Sequence, residues 1–215
     1  MYAQDVRGSY WWFVSVFVCL EAMSSASENP QNVLVGYDRS RFRQWLSRHV
    51  DSENECWVRL KRGRPIPGVF NYLDAVEEAL CFGWIDSVCK VFPEYGCLQR
   101  FSPRVGKSHW TELNKARVQR LERLGLMTDA GRAVFPNEVF RIQNDLQKLL
   151  QEDPDLAQKF YAFPKLYQRV RLDSIQYQQG HPEVYERMKA NFIRYTQQGR
   201  MYGQWNDWGR LTDPG

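Results

Sequence analysis

Histidine is scarce in this chain: His49, His109 and His181 are the only three in 215 residues. Five cysteines at positions 19, 56, 81, 89 and 97 give an odd count with irregular spacing. No Cys-x-x-Cys pair occurs, which removes the zinc and thioredoxin-like motifs. Internal repeats and low-complexity stretches are also missing. Net charge is only +4, too little to mark a nucleic-acid protein by itself. With 43% hydrophobic and 25% charged residues the composition is that of an ordinary globular chain, which disfavours disorder, collagen and coiled coil. What the chain has in quantity is rings: Phe, Trp and Tyr make up 14%. So many aromatics need a large core or exposed stacking surfaces.

The N-terminal apolar run Tyr10–Leu20 is 11 residues long, where a membrane span needs about 20. A signal peptide would want a basic segment ahead of it, and here Asp5 cancels Arg7. Translation from Met23 is the simpler reading, and Met23–Pro30 is polar, as a flexible start would be. Residues 1–37 are therefore expected to be a leader. Cys56, Cys81 and Cys97 lie in or beside apolar segments and are expected as buried, reduced thiols in a cytoplasmic protein.

Residues 39–100 mix strand and helix signals. Phe42, Trp45 and Leu46 at helical spacing predict a helix over 40–49 capped by Ser40. Residues 56–61 alternate like a half-buried strand. Asn71 caps a helix that runs to Phe82 and ends at Gly83. Residues 84–88 and 96–101 form a hairpin around Pro93–Gly96. From Ser108 onward the chain reads as helices punctuated by Gly125, Pro136, Asp153–Pro154, Pro164 and His181–Pro182. The expected fold class is α+β: a small antiparallel sheet with packed helices (38–136), then an all-α C-terminal helical module (137–200) and a tail (201–215).

The mild net charge conceals blocks. Residues 39–64 carry +5, residues 71–99 carry −4 and residues 100–132 carry +5. Solvated faces or a polar site between blocks would both produce this pattern. The densest candidate is Arg100–Trp110, where Arg100, Arg104 and Lys107 flank a helix expected to begin at Ser108. A helix start attracts anions, and three cations could clamp a phosphate or carboxylate. Gly106-Lys107-Ser108 is not a P-loop, because Phe101 stands where its first glycine belongs. Asp86 is read as the partner of a nearby arginine and Cys81 as a core thiol. Glu77 and Glu78 are adjacent, so they point about 100° apart on a helix and do not form an acid–base pair. Trp57, Trp84 and Trp110 are read as core in preference to base-stacking rings.

Several strings resemble a known family. Phe42–Leu46, Glu55–Val58 and above all Tyr72–Ser87, with its Ala-Leu-Cys-Phe-Gly-Trp-Ile-Asp core, are similar to the YdeI/OmpD-associated, or bacteriocin-protection, proteins. Arg100–Arg104, Ser108–Trp110, Asn114–Val118 and Leu124–Met127 continue the likeness in the same order. Residues 160–176 and 181–200 resemble the family's helical module more loosely, so the likeness covers about 38–200. Where family members carry a basic stretch before the last helix, this chain has Gln178-Gln179-Gly180-His181. The resemblance implies a protein linked to stress or antimicrobial-peptide resistance, with no established enzymatic activity. It adds weight to Arg100, Arg104, Ser108, Trp110 and Asn114 as a site.

The sequence therefore predicts a non-enzymatic protective or binding protein that takes an anionic small molecule or a protein partner. Its ligand-binding residues would be Trp84, Asp86, Arg100, Arg104, Lys107, Ser108, Trp110 and Asn114, with no cofactor and no metal. An enzyme using Asp86 or Cys81 beside Arg100 is the main alternative, and a nucleic-acid-binding module is a third. Membrane association is expected only if the N-terminal apolar run is real.

Overall fold

A computed structural model of the protein describes residues 29–106 and 108–212. The apolar run Tyr10–Leu20, Cys19, the choice between Met1 and Met23, and Lys107 all lie outside the described residues.

Strand β1 (Val33–Leu34) is followed by helix α1 (Arg39–His49) and strand β2 (Cys56–Val58). Helix α2 (Tyr72–Cys81) leads into a long hairpin of β3 (Trp84–Phe92) and β4 (Gly96–Pro103). The rest is helical: α3 (Glu112–Arg123), α4 (Asp129–Ala133), α5 (Asn144–Glu152), α6 (Pro154–Tyr161), α7 (Lys165–Gln176) and α8 (Pro182–Gln197), then a 3-10 turn at Asp207–Gly209. This is the α+β class. The sheet order is β1-β2-β4-β3. It is mixed, not purely antiparallel, because β1 lies parallel to β2 while the other neighbours are antiparallel.

Local chemistry explains most boundaries. Asn71 and Asp74 form a reciprocal capping box at the start of α2. Thr128 caps α4, and Asp153 caps α6 with Pro154 at its first position. Two starts differ from expectation. Helix α1 is capped by Asp38, whose carboxylate accepts from the Arg41 amide at 2.8 Å, and not by Ser40. Helix α3 begins at Glu112 with Thr111 as cap, so Ser108 does not open it. Ser108 instead closes a turn by donating its amide to the Val105 carbonyl at 2.9 Å.

The strand period of two decides what each sheet face meets. Cys56, Phe101 and Trp84 join the main core with Phe42, Trp45 and Leu46 of α1 and Val76, Ala79 and Leu80 of α2. The opposite face carries a smaller cluster of Trp57, Phe92 and Leu98. A separate core of Leu146, Phe160, Tyr167, Ile175 and Phe192 fills the helical module, and Trp205 of the tail packs against it. Trp57, Trp84 and Trp110 are all buried.

One thiol expectation is overturned. Cys97 is exposed and bonded to Cys89 across the hairpin, because the β3–β4 register places the two on the same face of neighbouring strands. Cys56 and Cys81 remain free and buried.

Helix α4 docks on the C-terminal end of α2 with no room for a side chain. A Cβ on Gly131 would collide with the Cys81 carbonyl, and one on Gly83 would lie 2.9 Å from the Ala130 carbonyl oxygen. Gly131→Ala should lower unfolding free energy by about 1–3 kcal/mol in urea titrations, as overpacking does. In denaturant without reductant, alkylation followed by peptide mapping should label Cys56 and Cys81 and spare Cys89 and Cys97 until the disulfide is reduced.

Candidate functional site

The charge blocks seen in sequence close on one another. Helix α2 buries Asp74, Glu77 and Glu78. From α1, Arg39 reaches Glu78 at 2.6 Å and Glu77 at 2.9 Å, and Arg43 reaches Glu78 at 2.7 Å. Arg120 of α3 lies 3.3 Å from Glu77. From the tail, Arg210 contacts Asp74 at 2.8 Å and Glu77 at 3.2 Å. The three carboxylates of α2 are thus neither a solvated face nor an open site. Arg39 and Arg43 are part of their neutralisation.

A second polar cluster forms where the base of the β3–β4 hairpin meets α2 and α3. Asp86 shares a face with Trp84 and Phe101, since Asp86 pairs with Phe101 in the ladder. Its Oδ2 accepts from the Tyr72 hydroxyl at 2.6 Å. Burial, followed by the Asp86 charge, holds the Tyr72 phenol well above its ordinary range, so it stays protonated and donates. Arg117 of α3 forms a two-pronged bond to Asp207, Nε–Oδ2 at 2.6 Å and Nη2–Oδ1 at 2.8 Å, and donates Nη1 to Asn114 Oδ1 at 2.7 Å. Burial alone would lower the Arg117 guanidinium, but the charge and hydrogen bonds of Asp207 outweigh it and hold it above its usual range. Asp207 and Trp208 carry positive φ values of 50° and 61°, a strained arrangement that the Arg117 fork helps hold.

Arg104 is different. Its side chain is 7% exposed, with Cζ 3.7 Å from the centre of the Trp110 ring. Nη1 donates to the His109 carbonyl at 3.1 Å. Nε and Nη2 are buried and have no partner among the described residues. Burial pushes this guanidinium down to about 10, and the nearby charge of Asp86 offsets only part of that. The folded-state value lies below the unfolded one. Charged Arg104 therefore opposes folding at neutral pH, and the lost stability returns as pH rises through about 10. The Trp84 indole Nε1 is also buried without a partner among the described residues.

The structure thus gathers Trp84, Asp86, Arg104, Trp110 and Asn114 around the base of the hairpin. Arg100 is not among them. It lies on the other sheet face, opposite Trp57, and its Nε donates to Glu55 at 2.6 Å. Burial would raise Glu55, but the hydrogen bonds from Arg100 and Trp57 hold its carboxyl below the usual range. Asp86 and Arg100 therefore do not share a pocket. Cys81 is held as a thiol: burial and then the Glu78 charge push it up to about 11, and Arg43 recovers only part. Ser108 sits in the loop after β4 and Lys107 lies outside the described residues. Tyr72, Arg117 and Asp207 complete the cluster without having been singled out from sequence. Among the described residues, no three of His, Cys, Asp and Glu come together as a metal site.

Residues 34–134 match a family described as a domain of unknown function (DUF8412). The matched segment holds the sheet apart from Val33, and every residue of the cluster except Asp207. No curated protein and no solved structure matches the chain.

The two arginines should separate in mutagenesis. Arg117→Met strands the Asp207 carboxylate and should cost about 3–5 kcal/mol of stability. Arg104→Met removes a buried charge with no counter-ion, so the unfolding free energy from urea titration should stay within about 1 kcal/mol of wild type or rise.

Proposed function

We propose that the protein is a non-enzymatic binding protein of the YdeI/OmpD-associated kind, serving stress or antimicrobial-peptide resistance through capture of a ligand with an anionic group. The observation that carries this reading is the Arg104 guanidinium, buried with Nε and Nη2 unpartnered among the described residues. These two donors form one edge of the planar fork, the geometry that grips a carboxylate or phosphate with two parallel bonds. A buried charge without a partner opposes stability, and an anionic ligand would supply the missing charge. The Trp110 ring under the guanidinium fixes its plane.

Binding fits better than turnover because the chemistry expected of an enzyme is not assembled. Cys81 is a protonated core thiol, and Arg100 is engaged by Glu55 on the far side of the sheet from Asp86. We place the protein in the cytoplasm, a reading supported by the buried free thiols Cys56 and Cys81. Among the described residues no helix is long and apolar enough to cross a membrane. The Cys89–Cys97 bond is the one that a reducing compartment would open.

Thermal-shift titration with acetate, phosphate, sulfate and citrate at constant ionic strength tests the reading. At least one should raise the wild-type melting temperature by mass action and leave Arg104→Gln unmoved. Equal responses in wild type and Arg104→Gln would sink it.

A further inference from the structure

The Cys89–Cys97 bond lies where small molecules can reach it and where its loss leaves the main core alone. Cys89 faces Gln99 in the β3–β4 ladder and Cys97 faces Val91, so the pair bridges neighbouring rungs on one face. A bulge between Asp86 and Cys89 divides the hairpin into two halves. In the inner half, Trp84 and Phe101 belong to the main core. Gln99 closes the bulge: its Nε2 donates to the Ser87 and Val88 carbonyls at 3.1 and 3.2 Å, while Arg62 donates to its Oε1. In the outer half, the face of β4 that carries Phe101 turns to solvent. There Cys97 is exposed, Cys89 half-buried and Val91 73% exposed. The opposite face holds Phe92 and Leu98 against Trp57, with the Phe92 and Trp57 rings edge-on at 5.1 Å.

The bonded cysteines are only 8 positions apart. A loop this short restrains the unfolded chain less than a long one, so stability is the weaker reason for the bond. Exposed disulfides are the labile, regulatory kind. Cys56 and Cys81 do not compete for it, because both are buried and burial holds both above the ordinary thiol range. We propose that Cys89 and Cys97 form a reversible oxidation site that answers to peroxide and to small thiols, and that sets how firmly the outer half of the hairpin is held on Trp57. In closing, the exposed Cys97 sulfur attacks a peroxide oxygen, the O–O bond breaks, one water leaves and Cys97 becomes a sulfenic acid. The Cys89 sulfur then displaces the hydroxyl, the S–S bond forms and a second water leaves. One peroxide thus takes two electrons and two protons from the pair. In opening, a small thiolate attacks Cys97 and Cys89 leaves as a thiolate that takes up a proton. A second small thiol then resolves the mixed disulfide and departs as the oxidised dimer. Once open, the outer half keeps only its ladder bonds and its packing on Trp57, while the inner half retains the Gln99 clamp and the core. Neither cysteine belongs to the Arg104 cluster, so the site stands whatever Arg104 binds.

The test starts from the full chain, reduced and then freed of reductant. It is titrated with hydrogen peroxide, alkylated in denaturant and mapped residue by residue. Cys89 and Cys97 should lose label together near one equivalent of peroxide, with Cys56 and Cys81 still labelled. Millimolar reduced glutathione should reopen the bond. Amide exchange over residues 88–98 should be about tenfold faster in the reduced protein than in the oxidised one, with residues 84–86 and 100–103 unchanged. All of these readouts use wild type. In Cys89→Ser, peroxide followed by dimedone should tag Cys97; in Cys97→Ser the same treatment should leave Cys89 untagged. A bond that glutathione leaves intact, or a thiol pair that peroxide leaves open, overturns the proposal. Equal exchange in the two states overturns the coupling to the hairpin, and a tag on Cys89 in place of Cys97 overturns the order of attack.

Discussion

Burying a carboxylate without a partner costs several kcal/mol, and α2 buries three within ten residues. Their neutralisation governs how the rest of the chain is arranged. Arg39 and Arg43 tie α1 to α2, Arg120 ties α3 to it, and Arg210 brings the tail back across 136 positions of sequence. Glu77 stands at the centre, with Arg39, Arg120 and Arg210 all within 3.3 Å. Apolar packing supplies the bulk of the driving force for folding. The ion pairs select one arrangement, because any other leaves a charge stranded in the interior. Alternating charge blocks in the sequence are the linear record of this closed network.

Arg104 departs from that pattern. The guanidiniums around α2 each have a carboxylate, and Arg117 has Asp207. Arg104 has a carbonyl and a ring, and no carboxylate bonded to it. The protein neutralises three carboxylates on one short helix yet leaves the Arg104 guanidinium incomplete among the described residues, at a place where a hairpin base and a loop meet. Asp86 lies on β3 and Asn114 on α3, both in regular structure.

Much of the local structure was legible in the sequence. Asn71 and Asp153 were readable as caps because capping is a short-range contest among a few groups. The same logic misplaced two starts. Asp38 outcompetes Ser40 just upstream. Ser108 is held in a turn with Val105 while Trp110 packs edge-on against Phe135, so α3 waits for Thr111. The grouping of Trp84 with Asp86 followed from strand period. That same period could have set Arg100 apart, since neighbours Arg100 and Phe101 must point to opposite faces. Arg117–Asp207, 90 positions apart, left no local trace. Nor did the pairing of Cys89 with Cys97, which depends on the register across a bulge between Asp86 and Cys89.

The tail has a consequence for where this protein can be divided. The segment matching a family, 34–134, contains Arg117, Asp74 and Glu77 but not Asp207 or Arg210. Cut at its own borders, that segment would keep a buried guanidinium with no carboxylate and lose one of the cations that neutralise its central helix. The unit that recurs among sequences and the unit that balances its own charge are therefore not the same piece of chain. The balance is completed only by the last turn after Trp205.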